Sequence, residues 1–307
     1  MLLFSVFTNA RNRAAILILG LSLGAAAMPA GGLEAEPDFE TQVSRLSRQV
    51  SGAVFAAPDE ELAPLAFDVM TLETLIAAPL AEVWDFYTLS NLNKVWDDSL
   101  IRTRRLVCPD GQRSYDPDTV WPDIQPGLQL HSTLKWGEAP VRLDMEITTV
   151  EPGQHTEFVY MKTAPAEGTQ RMIFRTERLS TGEEATRVTH VSRYRGKNMA
   201  FHRLYPRVHR AIFDPMHEGA RFYLESAARS RKSCGVPAGV RETAACMYSR
   251  LHLNLTGELP RSEAEVAARI DALVSALTQN EAAALSDFNG RLEREEDISQ
   301  AARRACR

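Results

Sequence analysis

The chain is predicted to be an α+β protein: a curved antiparallel sheet wrapped around a long C-terminal helix, followed by a small all-helical module. Three observations predict this. Val69–Lys197 opens with one strand and two short helices, its period then switches to two and holds, and a 3.6-residue period takes over near Met199. A sheet that is wet on one side must bury its apolar face against another element, and the helix that follows is the available partner.

Phe67–Ile76 alternates as a strand and stops at Ala77-Ala78-Pro79, where proline suits a first helical position. Leu80, Val83, Trp84 and Tyr87 then recur at helical spacing, and Ser90-Asn91 can cap a second short helix carrying Leu92, Val95 and Trp96. Ser99–Cys108 is the next strand, closed by the turn Pro109-Asp110-Gly111. The loop Gln112–Pro126 is long and polar, with Trp121-Pro122 in its middle. It can serve as a gate over one end of a cavity, with the indole resting on ligand or rim, or as a plain surface insertion.

Gly127–Trp136, Val141–Val150, His155–Thr163, Gln170–Leu179 and Arg187–Arg195 continue as a meander of strands. Turns fall at Glu151-Pro152-Gly153 and Ser180-Thr181-Gly182-Glu183, and Val188, His190, Ser192 and Tyr194 share one face of the last strand. The helix from Met199 is expected to break or kink at Asp214-Pro215. Leu204, Val208, Ile212, Pro215, Gly219 and Phe222 form the stripe expected to face the sheet, with His202, His209, Phe213 and His217 nearly opposite under the C-terminal module. Those histidines lie about two turns, roughly 11 Å, apart along the axis, so one ion cannot bridge them and structural or solvated roles are expected.

The last segment reads as three helices. Val236, Val240, Met247, Leu251 and Leu255 mark the first, and the capping box Ser262-Glu263-Ala264-Glu265 opens the second. Leu285, Phe288, Leu292 and Ile298 mark the third, with Asn289-Gly290 as a candidate interruption. This module is a packing cap or a docking surface for a protein partner.

At 307 residues, with 44% hydrophobic and 24% charged content, the chain has room for one medium domain and an appendage. A formal net charge of -5 argues against a nucleic-acid partner, which needs a basic face. The clusters Arg102–Arg105 and Arg229–Lys232 are expected to be solvated strand-edge and helix-end charges, the alternative being an anion or transient membrane-surface contact. Arg11 and Arg13, the apolar run from Ala14 to Leu23 and the small residues Ala25-Ala26-Ala27 read as a secretory signal peptide. The expected organisation is therefore a signal in 1–27, a leader segment in 28–66, the sheet-and-helix domain in 67–232 and the helical module in 233–307. The protein is expected outside the cytoplasm, in the periplasm, or membrane-anchored if the signal stays uncleaved. Cys108, Cys234, Cys246 and Cys306 fit that placement as disulfides, in any of three pairings, and no spacing of a zinc site appears.

The run from Leu72 to Trp84, Leu-Glu-Thr-Leu-Ile-Ala-Ala-Pro-Leu-Ala-Glu-Val-Trp, resembles the opening strand, apolar-Ala-Pro turn and first helix of the START-like (SRPBCC) superfamily. Polyketide cyclases, birch-pollen-allergen-type proteins and lipid-transfer domains belong to that group. Trp96 sits where such chains often carry a tryptophan, and the resemblance spans roughly Phe67–Arg231. It implies a helix-grip fold around a cavity. It does not choose a chemistry, because this scaffold hosts carriers, receptors and enzymes. The long Gln112–Pro126 loop and the C-terminal module depart from the compact pattern.

The leading expectation is a binding or transport protein for a hydrophobic small molecule, lipid, sterol-like or polyketide-like, with no cofactor and no metal. Trp84, Tyr87, Leu130, Ser132, Leu134, Met145, Tyr160, Phe174, His190 and Tyr194 are the candidate ligand-binding residues, with Trp121 at the gate. Thr176 and Ser192 share the expected inward phase. No catalytic residue is assigned. The alternatives are a cyclase- or hydratase-type enzyme using His190 with Tyr160 or Tyr194, or a protein-interaction module whose core is filled.

Overall fold

The computed structural model describes residues 65–88, 101–117, 122–134, 141–235, 239–251 and 259–307, with 45–46, 48–49 and 52–53. The expected signal peptide, most of the leader, the second short helix with Trp96, and Trp121 lie outside the described residues.

Two long strands with clean alternation, β8 (Ala166–Arg178) and β9 (Glu184–Gly196), form the centre of the sheet. Gly182, at φ 83°, makes the turn between them, with its N–H donating to the Leu179 carbonyl at 2.9 Å. β1 (Asp68–Ile76) pairs with β9, which brings the two ends of the domain together. On the other side follow β7 (His155–Tyr160), β6 (Met145–Glu151), β4 (Gln129–Leu134), β2 (Ile101–Val107) and the short β3 (Ser114–Tyr115). The order is β1-β9-β8-β7-β6-β4-β2-β3, antiparallel throughout, with β5 (Val141–Arg142) attached to β4. Register shifts at Thr103/Arg105 and Ile147/Thr149 bend the strands, as bulges do.

The expected strand Val141–Val150 is divided into β5 and β6. In that strand Val141, Leu143, Met145 and Ile147 alternate with Arg142, Asp144 and Glu146, which puts Asp144 on the outer face, yet it is buried and needs partners. Thr163 Oγ1 donates to its Oδ2 at 2.6 Å, and its Oδ1 lies 3.5 Å from His131 Nδ1. The chain leaves the ladder between Arg142 and Met145 to place this carboxylate, and the Leu143 N–H donates to the Ser132 carbonyl there. Thr176 is exposed rather than inward, at the end of β8 beyond the last buried side chain, Phe174.

Helix α1 (Leu80–Thr88) and the long helix α2 (Met199–Arg231) cover the inner face. Asn198 caps α2: its Oδ1 accepts from the Phe201 N–H, and its Nδ2 donates to the Ala53 carbonyl, both at 2.8 Å. Against expectation, α2 runs unbroken through Pro206 and Pro215. Proline in a helix interior costs ~3 kcal/mol. Here Ile212, Phe213, Met216 and His217 on either side of Pro215 are all buried, and that burial outweighs the local penalty. The buried stripe is also rotated from the expected one. Pro215 is exposed, whereas His209, Phe213 and His217 are buried against the sheet rather than under the C-terminal module.

Helix α3 (Val240–Arg250) packs on the C-terminal half of α2, with Tyr248 and Ser226 hydroxyls 3.4 Å apart. The last helix, α4 (Glu263–Arg304), opens at the expected capping box: Ser262 Oγ accepts from the Glu265 N–H at 3.2 Å. Its interruption falls at Asn280, between the expected second helix and the third expected from Glu281, and none falls at Asn289-Gly290; Asn280 Oδ1 accepts from the Ala283 N–H and caps the second half. Ala244, Met247, Leu277 and Phe288 form a small separate core for these helices. The disulfides are Cys234–Cys246 within the module and Cys108–Cys306, which ties the chain end to the end of β2. Beside the latter, Arg113 Nη1 donates to the Ala305 and Arg307 carbonyls, and Tyr115 OH to that of Ala305. The long loop, read as a gate or a plain surface insertion, is thus pinned at its N-terminal end by the C-terminal strap.

Candidate functional site

The site lies between the inner face of β8 and β9 and the buried stripe of α2. Alternation sends Gln170 and Met172 of β8, and His190, Ser192 and Tyr194 of β9, toward the helix. Helical spacing brings Tyr205, His209, Phe213 and His217 to meet them. Contact is direct: Tyr194 stacks on Tyr205 with centroids 3.8 Å apart, and His190 meets Phe213 edge-on at 4.3 Å.

A file of polar groups runs through this interface. Tyr87 OH on α1 lies 2.7 Å from His217 Nδ1, and His217 Nε2 lies 3.4 Å from His190 Nδ1. His190 Nε2 is 3.2 Å from Gln170 Oε1, and the Gln170 amide donates to Tyr160 OH and, at 3.4 Å, to Tyr205 OH. Tyr205 OH is also 2.6 Å from both Tyr160 OH and Ser192 Oγ. An amide oxygen only accepts, so His190 carries its proton on Nε2 and accepts on Nδ1. His217 therefore donates from Nε2, and Tyr87 donates to His217 Nδ1. Gln170 sets the direction of the whole file; with its amide turned over, every donor upstream of it would reverse.

Burial keeps every member neutral near pH 7. Desolvation drives the His190 imidazole well below its ordinary pKa, and the neighbouring His209 and His217 add to the effect. Burial lowers His217 to about 4. It lowers His209 to about 3, helped by His217 and Arg210. The phenols move the other way: burial raises Tyr205 to about 12, and raises Tyr87 and Tyr160 above their usual range. Tyr194 is raised by burial and by the Asp68 carboxylate.

His209 stands apart from this file. Its ring is 2% exposed and sits among His190, Tyr205 and Phe213, at centroid distances of 4.8, 5.6 and 4.5 Å. Neither Nδ1 nor Nε2 has a hydrogen-bond partner. A neutral imidazole carries one donor and one acceptor, and leaving each buried and unpaired costs ~1–3 kcal/mol.

Of the expected ligand-binding residues, Tyr160, His190 and Tyr194 come together here, joined by Tyr87 through His217. Trp84 and Phe174 pack on each other at 5.2 Å, and Phe174 meets Tyr87 at 5.6 Å. Leu130, Leu134 and Met145 are buried in the apolar part of the same core, on β4 and β6. Ser132 does not join the file; it pairs with Thr103 Oγ1 at 3.1 Å. Four polar members were not among the expected site residues. Gln170 could have been found as a polar residue in phase with Met172 and Phe174. Tyr205, His209 and His217 were missed because the helical stripe was set one step off. Among the described residues no group of three or more His, Cys, Asp or Glu side chains is arranged to hold a metal ion.

No family model matches the chain, and no curated protein matches it. Solved structures are similar over about half of it. A Deinococcus radiodurans structural-genomics protein shares 15% identity over 52% of this chain and 97% of its own, at TM-score 0.33. Norcoclaurine synthase from Thalictrum flavum, in complex with dopamine and hydroxybenzaldehyde, shares 14% over 50% and 86%, at 0.34. A Thermus thermophilus protein shares 15% over 49% and 95%, at 0.35. Likenesses at this level carry no argument about activity. The architecture rests on the chain's own strand order, register and buried helix, and it is a helix-grip fold.

Proposed function

We propose that the protein is exported and holds a hydrophobic small molecule between the inner face of its sheet and α2. The observation that carries this reading is His209, an interior imidazole among aromatic walls whose two nitrogens are unspent. A core selected for stability alone gains nothing from such a group, whereas a binding site needs a few polar contacts to orient an otherwise apolar ligand. The two disulfides and the reading of residues 1–27 as a signal peptide support export. An apolar molecule crossing an aqueous compartment has reason to be carried.

The bonding of His190 favours carriage over catalysis. A reaction run by His190 with Tyr160 or Tyr194 would need a free ring nitrogen and a pKa near the working pH. Both nitrogens of His190 are instead engaged, by Gln170 and His217, and burial moves its pKa well down.

Native mass spectrometry of protein purified from its own host tests the reading. The expected result is a non-covalent adduct that organic extraction removes, leaving protein that takes up Nile red. A bare chain that also fails to bind Nile red would overturn it.

A further inference from the structure

We propose that His209 anchors the polar end of the ligand, and that this end is an uncharged hydroxyl or keto oxygen rather than a carboxylate or phosphate. This rests on the reading that the interior takes an apolar molecule, and it names the chemistry of that molecule.

Two sets of facts bear on it. The first is which buried groups lack a partner. Tyr87, His217, His190, Gln170, Tyr160, Tyr205 and Ser192 each have at least one partner within the file. Asp144 is taken by Thr163 and His131, and Ser132 by Thr103. Among the described residues, His209 alone has buried side-chain atoms with no partner at all, one nitrogen able to donate and the other to accept. Its nitrogens lie on different edges of the ring, so one ligand oxygen meets one of them, and a second polar group or a water meets the other.

The second is charge. Among the described residues none of the buried side chains is a lysine or arginine. The arginines of β8 and β9 are committed to the outer face: Arg171 pairs with Glu157, Arg187 with Glu177 and Arg195 with Glu167. Arg210, next to His209 in sequence, is exposed and faces Asp214 at 3.9 Å. His209 itself is held neutral by burial, with its pKa at about 3. An anion placed beside it would lose its hydration and find no buried counter-charge, only the exposed Arg210 that already faces Asp214. A hydroxyl or ketone meets the same imidazole at the cost of an ordinary polar group and recovers a hydrogen bond.

The test uses two probes with one apolar body, 12-(1-pyrenyl)dodecanol and 12-(1-pyrenyl)dodecanoic acid, titrated into delipidated full-length oxidised protein at pH 7.5. The alcohol is expected to bind roughly tenfold or more tightly than the acid. His209→Phe should narrow that ratio severalfold by weakening the alcohol, the desolvation penalty on the acid remaining, while His209→Gln, which keeps a donor and an acceptor, should retain most of it. The ratio is measured within each variant and so does not depend on how much of the variant is folded. Binding of the acid as tightly as the alcohol would overturn the proposal and leave carriage standing. An alcohol preference unchanged in His209→Phe would also overturn it, since His209 would then bond only to water. Failure of wild-type protein to bind either probe would remove the binding reading, and the anchor with it.

Discussion

Lowering the pH from 7 to 5 should destabilise this protein far more than its surface charge alone would, because three imidazoles are buried in neutral form. In the unfolded chain each would titrate at the ordinary histidine value of 6.5, whereas folding lowers His209 to about 3, His217 to about 4 and His190 well below 6.5. Above 6.5 these groups are neutral in both states and cost nothing. Below 6.5 the unfolded chain takes up protons that the folded one refuses, so stability falls as pH drops through 6.5 toward the folded values. Integrated from pH 7 to pH 5, the loss is about 2 kcal/mol for each of His209 and His217, about 4 kcal/mol together, with His190 acting in the same direction. That is a large share of the ~5–15 kcal/mol of a typical domain. Asp85, Asp123 and Asp214, whose pKa values are raised by burial, act with the opposite sign as pH falls through their raised folded values toward the ordinary carboxylate value. Urea denaturation of the oxidised protein at half-unit pH steps measures the loss. The C2-proton resonances of the imidazoles locate its source, and three of them should hold their neutral positions down to pH 5. A urea midpoint that stays constant from pH 7 to 5, with every histidine titrating near 6.5, would refute the reasoning and with it the buried file.

Two further predictions concern covalent and steric closure. Cys108–Cys306 spans 198 residues of sequence and Cys234–Cys246 spans 12, so loop entropy predicts losses of about 5 and about 3 kcal/mol respectively on replacing each pair by serine; equal urea midpoints for the two variants would contradict the strap's role. Gly168→Ala should cost about 3 kcal/mol or more, because residue 168 has φ +125° and an added Cβ would lie 1.9 Å from the Arg193 carbonyl oxygen. An unchanged thermal midpoint would contradict the close approach of β8 and β9 there.

Local periodicity carried most of the architecture. Alternation along 184–196 and helical spacing from Met199 are properties of neighbouring residues, legible without the fold, and they led to the sheet, the long helix and the inward face of His190, Ser192 and Tyr194. The capping box at Ser262 was equally local. What periodicity could not supply was decided between distant residues. Pro215 reads as a break because its cost is local, while the burial of Ile212, Phe213, Met216 and His217 that overrides it comes from strands and helices elsewhere in the chain. Asp144 reads as an outward residue by alternation, yet it turns inward for Thr163 and His131. The choice among three disulfide pairings required Cys306 to be brought to the end of β2. His209 and His217 read as a stripe facing away from the sheet, under the C-terminal module, until the helix was seated on the sheet. That seating sets the phase of a helix about its own axis, and only packing energy decides it. Spacing between neighbours thus dictates which elements form and which strand faces can turn inward. Which polar groups meet there is left to packing, because hydrogen bonds across 130 residues of chain, as between Tyr87 and His217, have no signature in local spacing.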